Sequence, residues 1–440
     1  MKTPLQTRRE FLSTGLKGVS LLAAAGYAPA FLTRTAEAVG AAADSRILLV
    51  LQLSGGNDGL NTVVPFTDDL YYKARPTIGV ASSDVFRVSD RLGLHPALKR
   101  LKAEFDEGRM AVIQNVGYPN PDRSHFRSME IWHTGSDNTQ RREVTGWIGR
   151  YFDAQCGGID PRRRADLGTI GLNLGKVMPQ SYRNTSNVGL SLDNPETFLW
   201  NPSGETLGLA KAQEAIFARL NKPQESAMSG VRRNPSLEQL GGISADETGA
   251  IDFLKHTAMN AVVAGDRIRE ILAKSKDAAS YPRSGLAQQL KMISKLVAGN
   301  FPTRVYYVSQ GGFDTHQQQA ATQERLLADV ADSLHAFYED LRQQKNADKV
   351  LTVAFSEFGR RVAENGSAGT DHGAAGPMFV FGEKIKGGVH GAPPDLQNLT
   401  DGDIRHQIDF RQVYSSVLED WLGTPAEKVL GKKYEKLAVV

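Results

Sequence analysis

The sequence predicts a doubly wound α/β fold, a mostly parallel sheet with helices on both faces. Two observations predict it. Short apolar runs at Ile47–Leu53, Met110–Val116, Arg304–Ser309, Val350–Phe355 and Pro377–Phe381 are continuous rather than alternating, as strands buried on both faces require. Helix-period stretches lie between them, at Ala97–Glu107, Asp252–Lys274, Gly285–Ala298, Gln317–Gln344 and Arg411–Leu422.

Segment 1–38 comes first in the chain. Thr7-Arg8-Arg9-Glu10-Phe11-Leu12 precedes an apolar stretch from about Gly18 to Leu32, and Ala36-Glu37-Ala38 offers small residues to a signal peptidase. A basic start, a short apolar core and an A-x-A end make a secretory signal. The stretch falls short of the roughly 20 apolar residues that span a bilayer. Paired arginines followed by x-Phe-Leu predict twin-arginine (Tat) export. The folded chain would then use the Tat translocase as a transient partner and end in the periplasm or outside the cell. Cleavage after Ala38 removes five of the 52 Lys/Arg and two of the 49 Asp/Glu, which leaves 47 of each sign. A mature chain without net charge gives no electrostatic case for nucleic acid or an anionic membrane surface. Cys156 is the only cysteine, so an internal disulfide and a Cys-rich metal site are both excluded.

Residues 39–440 are expected to form a single domain. The first strand, ILLVLQL, runs directly into Ser54-Gly55-Gly56-Asn57-Asp58-Gly59. Helix 97–107 leads to the second strand, and a loop follows with Asp122-Arg123-Ser124-His125 at the start of another helix. Residues 155–244 are rich in Gly, Pro, Asn and Ser and read as a loop-rich insertion or cap. Two helices then lead to RVYYVS and Gly311-Gly312-Phe313-Asp314-Thr315-His316. The long helix 317–344 precedes VLTVAF, which is followed by Ser356-Glu357-Phe358-Gly359-Arg360 and by Gly369-Thr370-Asp371-His372-Gly373.

Ligands of open α/β sheets bind beyond the carboxyl ends of the strands, so these loops should converge. Converging Asp, His, Glu and Ser groups predict a metal-assisted hydrolytic site. Carboxylate and imidazole donors suit one or two divalent ions, zinc or manganese in the first place, whereas magnesium or calcium would favour oxygen alone. Asp314 and His316, two residues apart, point to one side if extended. Each piece has a plainer reading: Asp58 as a turn residue, Ser124 as a helix cap, Glu357 as a cap partner or surface acid. Gly-Gly-Asn-Asp-Gly lacks both the Lys-Ser/Thr of a P-loop and dinucleotide-site spacing. His390 and His406 remain possible ligands. His95, His133, His256 and His335 read as structural.

LSGGNDGLNTVVP, SHFRSMEIW, GGFDTHQ, FSEFGR and GTDHG, in that order, resemble the Tat-exported family called domain of unknown function 1501, often labelled sulfatase-like. The resemblance covers essentially the whole mature chain. That family is similar in turn to the alkaline phosphatase and sulfatase superfamily, which implies an alkaline phosphatase-like fold with one or two metals at strand ends. By resemblance, Asp58 matches the first-strand metal aspartate, and Ser124 the nucleophile, with His125 as a rival ligand or base. Asp314 and His316 match the pair that holds one metal, Glu357 stands at the Asp-His position, and His372 matches the last metal histidine. A second alignment sets Asp371-His372 on that pair, with His390 last. Two departures stand out: Phe358 occupies a position that is usually histidine, and no Cys-x-Pro/Ala-x-Arg signature is present. The function implied is an exported metal-dependent hydrolase of phosphate or sulfate esters, acting on a small or polymer-linked anionic ester. Ser124 or a metal-activated water would attack, and Arg123 or Arg360 would offset substrate charge. The alternative is a catalytically degenerate member that acts as an envelope binding or assembly protein.

Overall fold

A computed structural model describes residues 46–138, 143–155, 170–184, 189–192 and 264–440. The signal segment, Cys156, and the greater part of the 155–244 stretch lie outside the described residues. The strands, in chain order, are β1 Ile47–Leu53, β2 Val63–Val64, β3 Phe86–Arg87, β4 Gly93–Leu94, β5 Met110–Gly117, β6 Gly171–Asn173, β7 Leu190–Ser191, β8 Val305–Gln310, β9 Val350–Phe355, β10 Gly376–Phe381, β11 Gly388–His390 and β12 Ile408–Asp409.

Nine of these strands form one sheet, in the order β11-β5-β10-β9-β1-β8-β6-β7, with β12 also on β5. β1 lies at its centre, parallel to both β8 and β9. Every residue of β1 is buried, which explains why its sequence is apolar throughout. Successive side chains serve opposite faces. Leu49 and Leu51 pack with the helices Gly285–Ala298 and Gln319–Gln343 on one side. Leu48 and Val50 join the other core, beside the helices His125–Thr134, Trp147–Gln155 and Phe410–Ser416. The sheet is therefore covered on both faces, as expected for a doubly wound fold. β2, β4 and β3 form a separate small antiparallel sheet.

Two features depart from the expected pattern. β10 runs antiparallel to both of its neighbours, β9 and β5. The chain consequently leaves β9 and re-enters β10 at the same rim, and the whole 356–375 excursion stays there. Within the predicted cap, the described residues of β6 and β7 instead extend the sheet edge, with β6 parallel to β8. The predicted helix 411–422 also divides, into Phe410–Ser416 and a wider π turn at Val417–Trp421. Among the described residues, no helix is long and apolar enough to cross a membrane.

Candidate metal centre

The turn after β1 brings three rim loops close together. Gly55 has φ +119° and Gly56 has φ +79°. A Cβ on Gly55 would lie 2.4 Å from the Asp314 nitrogen, and one on Gly56 would lie 2.2 Å from the Phe358 ring. Glycine is thus required here both by the left-handed backbone and by the close approach. A short antiparallel bridge between Arg360 and His372 fixes the two ends of the 356–375 excursion against each other.

Three imidazoles and one carboxylate meet at this rim. Asp314 Oδ1 lies 3.0 Å from His316 Nε2 and 3.1 Å from His372 Nε2, while its Oδ2 lies 3.5 Å from His125 Nε2. His125, Asp314 and His372 each offer a ligand atom within 4.8 Å of the others. His316 Nε2 approaches His372 Nε2 to 2.9 Å.

The opposite ring nitrogen of each histidine is already engaged. His125 Nδ1 lies 3.0 Å from Glu357 Oε1, His316 Nδ1 lies 3.1 Å from Asp371 Oδ1, and His372 Nδ1 lies 2.8 Å from the Arg123 carbonyl. Carboxylates and carbonyls only accept, so each Nδ1 has an acceptor behind it that can hold the ring's proton, which frees that ring's Nε2 to present a lone pair whenever a cation stands at the centre. Burial pushes the Asp314 carboxyl up, but hydrogen bonds from Arg360 and His372 outweigh this and hold it at about 2. The bond from His316, with a second from Asn365, holds the Asp371 carboxyl below its ordinary value. The two carboxylates are thus anionic at neutral pH.

The arrangement reassigns several residues singled out in the sequence. Asp58 does not reach the cluster. One carboxylate oxygen caps the helix Gly59–Thr62 through the Leu60 and Asn61 amides, and the other meets Arg75 at 2.6 Å and the Gln319 amide. Glu357, 1% exposed, stands behind His125 and also accepts the Gly55 amide at 2.8 Å. Asp371 likewise stands behind His316. Arg360 cannot offset substrate charge from where it lies, because its side chain is fully buried. Ser124 is exposed at the N-cap of the helix that begins at His125, and its side chain makes no capping bond. Arg123 is paired with Asp403. His390 bonds the Lys386 carbonyl. Sequence reasoning missed Asn365, whose amide bonds both the His316 carbonyl and Asp371. No motif marked it.

A family model described as Protein of unknown function (DUF1501) matches residues 45–420. The chain belongs to that family. All the rim residues named above fall inside the matched span. No curated protein matches the sequence. Among solved structures, the sulfatase PsFucS1 from Pseudoalteromonas sp. is similar at 11% identity and TM-score 0.34, over 92% of this chain and 73% of that one. A protein in the alkaline phosphatase superfamily from Vibrio parahaemolyticus is similar at 10% identity and TM-score 0.32, over 79% of this chain and 63% of that one.

Proposed function

We propose that this DUF1501 protein is an exported, metal-dependent hydrolase of phosphate or sulfate esters, with its ion held by Asp314, His125, His316 and His372. One observation carries the metal reading. The Nε2 atoms of His316 and His372 face each other at 2.9 Å, beside Asp314, while an acceptor stands behind each Nδ1. A cation there would take up both Nε2 lone pairs and the charge of the Asp314 carboxylate at once, which supports the metal reading. Three nitrogens and a carboxylate oxygen are a donor set that zinc or manganese accepts.

A divalent ion there would polarise the ester and favour ionisation of the attacking hydroxyl. The chain's own groups do the rest. Glu357, Asp371 and the Arg123 carbonyl fix the three rings, as acceptors behind metal-bound histidines do. The exposed Ser124 hydroxyl, next in sequence to His125, is the nucleophile carried by the chain, and an ordered water is its rival. The ester class rests on the family resemblance, and export rests on Arg8, Arg9 and the apolar stretch after them.

The purified chain should contain stoichiometric metal by elemental analysis and should turn over p-nitrophenyl phosphate or sulfate. Asp314→Ala should abolish turnover, and Ser124→Ala separates the two nucleophiles. Metal-free, inactive protein sinks the proposal, whereas bound metal without turnover on any ester favours the binding or assembly reading. Replacing Arg8 and Arg9 with lysine should retain the chain in the cytoplasm. Unaltered export of that variant would rule out the Tat route.

A further inference from the structure

We propose that the cluster takes one divalent ion and that the guanidinium of Arg360 occupies the place of a second. This rests on the metal reading above and adds its stoichiometry. Arg360 donates from Nε to the Gly56 carbonyl at 2.6 Å, from Nη1 to the Thr370 carbonyl at 2.7 Å, and from Nη2 to the Gly55 and Phe313 carbonyls. Nη2 also meets Asp314 Oδ1 at 2.7 Å. The turn after β1, the loop after β8 and the segment before β10 thus set four carbonyls and one carboxylate oxygen around one buried guanidinium, with three of the five on Nη2. An all-oxygen cradle of this kind suits a hard divalent cation. Here the chain fills it with its own charge, the buried guanidinium.

Among the described residues, the other donors leave no second position. Phe358, 3% exposed, packs its ring 4.9 Å from His125 and 4.6 Å from His372, and so sets an apolar surface against both imidazoles. Glu357 is committed to the Gly55 amide and His125 Nδ1, and Asp58 to Arg75, Gln319 and a helix N-terminus. Asp371 stands on the outer side of His316. The remaining ligand atoms are three Nε2 atoms around the Asp314 carboxylate, His316 and His372 against Oδ1 and His125 against Oδ2. Arg360 is accordingly a positioning residue: it aims Asp314 and keeps a second ion out.

Titration of the full chain with Co²⁺, followed by calorimetry and by the visible d–d spectrum, should give one equivalent per chain. Two equivalents of similar affinity overturn this inference and leave the metal reading standing; none overturns the metal reading itself. Arg360→Gln removes the charge but leaves the carbonyls, and it should admit a second equivalent. Arg360→Lys should hold the stoichiometry at one. A Gln variant that still binds a single ion with unchanged affinity and spectrum overturns the role given to the guanidinium. If Arg360→Gln does not fold, the Lys variant decides, since a second equivalent bound by it would refute the proposal and a single one would support it.

Discussion

Glu357, Asp371 and the Arg123 carbonyl each hold one histidine by Nδ1, but they differ in burial. Glu357 is enclosed, with Ser356 Oγ 3.3 Å from its second oxygen, whereas Asp371 is largely exposed. An enclosed carboxylate fixes a ring more firmly than one that shares its charge with water. Glu357→Gln should weaken metal binding about 10- to 100-fold, read by competition titration with a chelator, while leaving the far-ultraviolet dichroism unchanged. Asp371→Asn should cost less in the same titration. Equal losses in both variants would show that burial does not rank the two supports. Glycine-flanked Asp314, His316 and His372 stood out in the sequence because such loops follow apolar strands. The division of labour among the acids did not. Glu357 and Asp58 have the same chemistry as a ligand, and only the third dimension shows that one faces an imidazole and the other an arginine.

At the level of elements, Asp58 ties together three pieces that carry the site. It caps the helix Gly59–Thr62, pairs with the buried Arg75 and bonds Gln319 at the start of the helix Gln319–Gln343. Gln319 in turn accepts from Thr315 and Thr370, which flank Asp314, His316 and Asp371. Asp58→Asn leaves Arg75 buried without its counter-ion, a change that typically costs about 3–5 kcal/mol. Urea denaturation should show that loss in the metal-free protein. If stability holds while metal affinity falls, Asp58 is a ligand after all. Gly55→Ala tests the approach of the β1 turn to Asp314. Its strained φ should cost about 1–3 kcal/mol, with metal affinity lost as the Asp314 backbone is pushed away. Unchanged denaturation and metal-binding curves would refute this. β1, β5, β8 and β9 were legible because strands buried on both faces write their burial into the sequence. β6 and β7, at three and two residues, are too short to show a period. The direction of β10 was hidden for another reason: an apolar run carries no sign of its polarity, which is set here by the excursion that begins and ends at one rim.

The whole molecule joins this rim to the core through the helix His125–Thr134. Its first residue faces Asp314, and its far end places Trp132 and His133 inside the core on that side of the sheet. His133 Nε2 lies 2.9 Å from the Tyr307 hydroxyl, which donates to Gln52 Oε1 at 2.5 Å, so the imidazole is the donor to tyrosine. Burial lowers the His133 pKa from 6.5 to about 4. The unfolded chain therefore takes up this proton near pH 6.5, and the native one only near 4. Between those values the unfolded state binds more protons, so stability falls as pH drops and levels off once both states are protonated. At about 1.4 kcal/mol per unit, the loss reaches about 3 kcal/mol. Chemical denaturation from pH 7.5 to 4, with chelator present throughout, should show that decline. Other histidines contribute to the same slope, because burial also lowers the pKa of His95 and His406. The His133 share is thus the difference from His133→Gln, whose amide can still donate to Tyr307 but does not titrate. The wild-type curve should fall more steeply than that of the variant as pH descends through 6.5 to 4, whatever their offset at pH 7.5. Parallel curves would mean that the native protein protonates His133 as readily as the unfolded chain does, and that this end of the site helix opens to water.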